Sequence, residues 1–339
     1  MKQILSVLLL VVVTPVAWCQ NERIRVGEIE FFGVNGYDIG KLRTSLPLAA
    51  GQEISESEFT RLRTAIGETV RQATGRPPTD VAFVCCNAQG AASLYIGLAR
   101  PTAVADFHYK PAPEGSSRLP EHAVRLYEEA MDLNVDAVQK SAVEDRSKGY
   151  ALSSYPPLRA KQLAFREFAV EHMKLLRSVA LQSATAKQRA IAVHILGYGR
   201  PSMSQINALV SGARDPDEEV RNNAIRALGV LAQSGAAIAK NIPVDLFIGM
   251  LNSRTWTDRN KSAFLMAVLS ARRDPQLLRE LRVRALPSLI EMARWRNPGH
   301  AGDARMILGR VAGIPEAELV KLVAAGEVEQ IVSAAQTAP

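Results

Sequence analysis

The sequence predicts two architectures in series: a small α+β module of order strand-helix-helix-strand-strand, then an all-α solenoid of stacked helix pairs. Two observations carry this expectation. Near the front, Ile24 and Val26, then Ile29 and Phe31, alternate with polar neighbours, the period of a half-buried strand. In the second half the pattern A-x-x-x-L-G recurs, as Ala192 with Leu196-Gly197, Ala224 with Leu228-Gly229 and Ala304 with Leu308-Gly309. A looser copy holds Leu265 and Leu269, and the repeat leucines fall 32, 41 and 39 residues apart. Repetition at that period marks units that bury a face only against their neighbours.

Taken in order, Lys2 and the apolar run Leu5 to Val13 precede Ala17-Trp18-Cys19. This reads as a secretory signal over residues 1–19, too short for a comfortable membrane span. The mature protein is expected to begin near Gln20 and to be exported, soluble and periplasmic. Lipidation at Cys19 is the lesser alternative, because Trp18 stands where that signal wants a small residue.

The module is assigned to residues 20–100. "RIRVGEIEFFG" is its first strand and "YDIGKLRTSLP" a short helix. A second helix starts at Ser55, with Glu58 completing a capping box and Phe59, Leu62, Ile66 and Val70 as its stripe. "DVAFVCC" and "ASLYIGLA" are strands around the turn Asn87-Ala88-Gln89-Gly90. Cys85 and Cys86 are neighbours in a strand, which point to opposite faces. They should not bond each other; one is expected in the core and one outside, with an intermolecular disulfide or redox role as the alternative.

Residues 101–157 read as a linker. Pro101, Pro111, Pro113 and Pro120 predict extended chain, and one or two helices follow Glu121. The solenoid is assigned to 158–330, and its best-signposted helix is "RDPDEEVRNNAIRALGVLAQSG". Asp215 is read as its N-cap, Pro216 as its first residue and Gly235 as its left-handed stop. Val220, Ala224, Ala227, Leu228 and Leu231 form its packing face. Pro287 is placed in the first turn of a later helix, separate from the segment "DPQLLRELRVRA".

The wording "IEFFGVNGYDIGKLRTSLPLAAGQEIS" resembles the POTRA domains of bacterial envelope proteins, over about residues 24 to 99. That resemblance implies partner binding by strand addition or domain contact; one copy without a following barrel departs from an outer-membrane assembly role. "DPDEEVRNNAIRALG" resembles the second helix of a HEAT repeat, including the short bacterial variety first met in phycobilin lyases, and the likeness extends over about 158 to 325. It implies an intramolecular ladder of aspartate and arginine, with Asp217 and Arg221 structural.

No P-loop, H-E-x-x-H, G-x-S-x-G or C-x-x-C is present, so no catalytic residue, metal site or cofactor is assigned. His108, His122, His172, His194 and His300 are dispersed, and His194 lies between apolar neighbours as a packing residue. Charge is uneven: 15 basic and 18 acidic residues lie from Gln20 to Pro157, against 25 and 16 from Leu158 to the end. A basic solenoid suggests an acidic protein partner, and the export signal argues against nucleic acid. Arg221, Arg226, Arg259, Lys261, Arg294 and Arg296 are candidates for one basic stripe, with Trp295 as an anchor between two arginines. The expected function is non-enzymatic protein binding or scaffolding in a bacterial cell envelope, with membrane association through an envelope complex. The alternative is an enzyme or enzyme accessory of lyase-like HEAT type, its site in the concave face.

Overall fold

The computed structural model describes residues 23–34, 36–85, 90–99, 107–235 and 237–338. The expected leader, Cys86 and the Asn87-Ala88-Gln89 part of the expected turn lie outside them. Among the described residues an α+β region comes first and helices follow, as the sequence predicts.

The α+β region runs β1 (Ile24–Phe32), α1 (Ile39–Ser45), β2 (Glu53–Ile54), α2 (Glu56–Thr74), β3 (Asp80–Val84) and β4 (Ala92–Gly97). Its strands form one sheet in the order β2-β1-β4-β3, with β1 parallel to β4 and the other neighbours antiparallel. The phase break in the alternation between Val26 and Ile29 is a register shift in the β1–β4 pairing. That irregularity lets both residues enter the core with Phe31, Leu94, Ile96 and the α2 stripe Leu62, Ile66 and Val70. Ser55 and Glu58 close the capping box, and Gly75 ends α2 at φ 74°. Cys85 is disulfide-bonded rather than a free core thiol. β3 ends at Val84, so strand alternation does not extend to Cys85.

The helices are α3 (Glu121–Gln139), α4 (Pro156–Glu171), α5 (Met173–Gln182), α6 (Ala186–Leu196), α7 (Met203–Gly212) and α8 (Glu218–Gln233). Then come α9 (Val244–Met250), α10 (Trp256–Ser270), α11 (Pro275–Ala293), α12 (Pro298–Val311), α13 (Glu316–Ala325) and α14 (Val328–Thr337). A small hairpin of β5 (Glu144–Asp145) and β6 (Leu152–Ser153) stands between α3 and α4. Two compact units result, and they do not follow the expected boundaries at residues 100 and 157. One comprises Phe107–Phe247 and Lys261–Arg272; the other includes the α+β region, Ile248–Asn260 and the helices from Arg273 onward.

In the first unit the repeat motif acquires a physical meaning. A Cβ on Gly197 would meet Ala227, and one on Gly229 would collide with the Phe264 ring. In the second unit Gly309 stands in the same relation to Leu319. The glycine closing A-x-x-x-L-G is thus where a neighbouring helix approaches closest. α8 is buried from Val220 to Ala232 apart from Arg226. A helix buried on every side is covered all round, and residues 107–155, expected as a linker, supply part of that cover. Tyr127 of α3 bonds Glu219, Glu144 of β5 bonds Arg226, and Ala151 packs with Val230 and Phe264.

Two helix boundaries differ from expectation. α8 begins at Glu218 with Asp217 as its cap, accepting from Val220 N at 3.1 Å, so Pro216 lies outside the helix. Asp215 is not the cap because Arg189 engages its carboxylate. α11 is one helix that carries Pro287 inside it. The carbonyl that proline leaves without a helical donor belongs to Val283, whose side chain is 81% exposed, so water can serve it.

In the second unit both faces of the sheet are covered, which is why all six residues of β4 are buried. α1 and α2 pack on one face. The other presents Glu30, Phe32, Ser93 and Tyr95 to α11, α12 and the start of α10.

Candidate functional site

Three arginines each stand fourth in their helix: Arg189 in α6, Arg221 in α8 and Arg259 in α10, the first two seven residues before the repeat leucines Leu196 and Leu228. Each reaches back to carbonyls five or six residues earlier and so ties down the turn that opens its own helix. Arg189 donates to Ser183 O and Ala184 O at 3.0 and 3.2 Å, Arg221 to Asp215 O and Pro216 O at 3.0 and 2.8 Å. Arg259 donates to Ser253 O at 2.6 Å. Arg189 also holds an acid of the following repeat, binding Asp215 through two bonds of 2.7 and 2.8 Å, and Arg259 likewise binds Glu291 at 3.0 Å. The ladder that the resemblance implied is present, with Asp215 rather than Asp217 as the acid.

Beside the ladder, in the first unit, Tyr150, Ala151, His194, Gly197, Tyr198, Asn223, Arg226, Ala227 and Val230 line a cleft of about 20 Å³. That is room for about one water molecule. Its charges are committed to one another. Glu144 bonds Arg226 and accepts from Arg146 at 2.8 and 3.0 Å. Burial would push the Glu144 carboxyl up, but Arg226 and Arg146 outweigh it and hold it below the usual carboxylate range. Burial likewise opposes the Arg226 charge, and Glu144 with Tyr198 carries that guanidinium above its ordinary value. Burial also raises Tyr198, Tyr127 and Glu219, the last despite the Tyr127 hydroxyl bonded to it at 2.9 Å.

His194 lies among the rings of Tyr127, Phe165 and Tyr198, with centroids at 5.1, 5.3 and 5.8 Å. Burial first, then the Arg226 charge, pushes it down from 6.5 to about 3. Between those values the unfolded chain binds the proton that the folded chain refuses, so stability falls as pH drops through that window. The Tm should therefore decline from about pH 6.5 toward pH 4, and His194→Phe should flatten the decline. Glu144 adds its loss lower, as pH falls through its depressed carboxyl value. A decline between pH 6.5 and 5 that His194→Phe leaves intact would assign it to other groups.

Most of the candidate binding residues prove to be internal. Arg221 stacks under Tyr109, its guanidinium carbon 4.0 Å from the ring centre. Arg226 is bonded to Glu144, Arg259 is 2% exposed and Lys261 1%. Trp295 is buried edge-on to Tyr95 at 4.8 Å, and Tyr95 also stacks on Trp256 and bonds His300. Arg296 donates to Glu30 at 2.9 Å and to Ile29 O at 3.0 Å. Arg294 lies at the surface in a two-bond pair with Glu329 at 2.8 and 2.7 Å. Trp295 and Arg296 both pack on the protein's own sheet. Sequence reading missed Arg189, Asp215, Tyr109, Glu144, Arg146 and Tyr95. Arg189 and Arg221, each seven residues before a repeat leucine, were the one signal that could have found the ladder. Among the described residues no group of three or more His, Cys, Asp or Glu side chains is placed to hold a metal ion.

Residues 173–266, from α5 into α10, match the family model of HEAT repeats. The chain is also similar to Importin-4 of Mus musculus, with 33% identity over 156 residues, or 40% of this chain. It spans 14% of that relative's length. HEAT repeats point to a protein-binding scaffold as the kind of role this region serves.

Proposed function

We propose that this protein is a non-enzymatic scaffold that holds a protein partner in a bacterial cell envelope, and that its front module is POTRA-like. The observation that carries the reading is the run of α5 to α10. Its helix pairs match HEAT repeats and are braced by buried arginines, which favours a stiff presenting surface over a reaction vessel. The cleft favours holding too, since it admits about one water and its ionised groups already satisfy each other. An acidic segment is the proposed partner. Arg294 and Arg296, with side chains 49% and 54% exposed, stay within its reach, though each already pairs with an acid of this chain, Glu329 and Glu30. β3 ends the order of described strands and offers an edge for an added strand.

The envelope assignment rests on residues 1–19 of the sequence. Fractionation of expressing bacteria should place the protein in the periplasmic extract with an N-terminus near Gln20, and crosslinking there should trap a partner. A cytoplasmic product that retains Met1 would overturn the envelope assignment.

A further inference from the structure

Residues 107–119 of the first unit run in extended form over the turns of two successive repeats. At one end the Tyr109 ring covers the Arg221 guanidinium at 4.0 Å. Lys110 donates its amide to Arg214 O at 2.7 Å in the turn between α7 and α8, and its ammonium to Ser211 Oγ at 2.8 Å near the end of α7. Five residues later Gly115 accepts from Ala184 N at 2.8 Å in the turn between α5 and α6. Ser117 then meets Ser178 of α5 at 3.0 Å, and Leu119 N reaches Gln188 of α6 at 2.7 Å. An extended chain gains at most about 3.5 Å per residue. The five steps from Lys110 to Gly115 can thus reach at most about 17 Å between the two turns they join.

Three features set this segment apart from the core beneath it. Its own residues are largely exposed, including Pro111, Ala112, Glu114, Ser116 and Arg118. Its polar ties to the repeats fall at Lys110, Gly115, Ser117 and Leu119, and Leu119 alone among residues 107–119 is buried. Pro111 and Pro113 keep it extended without internal bonds, so little chain entropy is lost when it lies down. A segment with few buried contacts opens locally at low cost. Its fit is nonetheless specific: a Cβ at Gly115 would collide with the carbonyl of Gln182.

We propose that residues 107–119 are an internal pseudo-ligand. They cover a peptide-binding groove along the repeat turns, and a partner binds there by displacing them. The occupant is an extended peptide of the same chemistry: an aromatic residue for Arg221, a basic residue next to it, prolines, and glycine six positions after the aromatic. This inference rests on the scaffold reading above and names where that scaffold takes its partner.

The probe is a fluorescent peptide of residues 107–120, FHYKPAPEGSSRLP, titrated onto the full chain. The parent protein should bind it weakly, because its own segment holds the groove and reduces apparent affinity by the fraction open. The Gly115→Ala protein, whose segment no longer fits, should bind the same peptide at least tenfold more tightly. Peptides carrying Gly115→Ala or Tyr109→Ala should lose at least tenfold on that protein. Equal affinity for parent and variant, or indifference to both peptide changes, overturns the proposal. Hydrogen exchange on the parent protein gives a test free of any folding defect. The Lys110 and Ala184 amides should exchange well before those of α8, and exchange only with global unfolding would make the segment a fixed part of the fold. Partner capture in the envelope with no peptide exchange would leave the scaffold reading standing and remove this one. Peptide exchange with no partner captured there would keep the groove and overturn only the placement of its partner in the envelope.

Discussion

Asp215→Ala is expected to lower the unfolding free energy by about 3–5 kcal/mol. The side chains of Arg189 and Asp215 are 2% and 6% exposed, and two bonds of 2.7 and 2.8 Å join them. Removing the acid leaves a guanidinium that cannot shed its proton in a place water does not reach. The carbonyls of Ser183 and Ala184 still accept from it but do not neutralise it. Asp215 also accepts from Asp217 N at 2.9 Å, so the turn that opens α8 should fray in the same variant. The double replacement Arg189→Met with Asp215→Leu should recover most of the loss, because it removes both charges together. Urea denaturation of the three proteins measures this. A loss under about 1 kcal/mol in the single variant would place the pair with ordinary surface bridges.

How far the sequence could be read depended on how local the cause was. The α2 capping box, the αL stop at Gly235 and the burial of Leu228 follow from neighbours along the chain, and each lies where it was expected. The start of α8 did not, because the choice between Asp215 and Asp217 is made by Arg189, which lies 26 residues before the pair it forms with Asp215. Proline on average interrupts a helix, which points to Pro287 as a helix start; here the interrupted carbonyl faces solvent and α11 continues. Residues 107–155 look like a linker because their prolines and polar residues have no period. Their contacts are with repeats that come later in the chain, and no window of sequence contains both partners.

The charge imbalance has the same explanation. The acidic front half and the basic rear half are partly each other's counterions: Glu30 with Arg296, Glu128 with Lys187, Glu129 with Lys161 and Glu144 with Arg226. An excess of arginine in a repeat array suggests an acidic partner. Much of that acid is supplied by the chain itself, one pair at a time, from residues far earlier in the sequence.

That internal use of charge separates two arginines that composition alone would treat alike. If Arg259 and Arg294 both faced a partner, reversing either would alter binding and leave the fold intact. Arg259→Glu is instead expected to cost at least ~4 kcal/mol. It sets a carboxylate beside Glu291, whose own side chain is 12% exposed, and removes the bond to Ser253 O and the contact with Phe32. Glu291 also accepts from the amides of Gly33 and Val34 at 3.0 and 3.1 Å, so repulsion there is transmitted to the end of β1. Gly33 cannot yield easily, because it sits at φ 73° with Leu98 O directly beside it. Typical domains hold only about 5–15 kcal/mol in all, so the second unit of this variant should unfold early or fail to accumulate in soluble form. Arg294→Glu breaks only the exposed pair with Glu329, for which under about 1 kcal/mol is expected. Denaturant titration of both variants, with tryptophan emission from the buried Trp256 and Trp295 as the signal, separates the outcomes. Equal and small losses in the two proteins would return Arg259 to the surface and restore the basic stripe as a binding face.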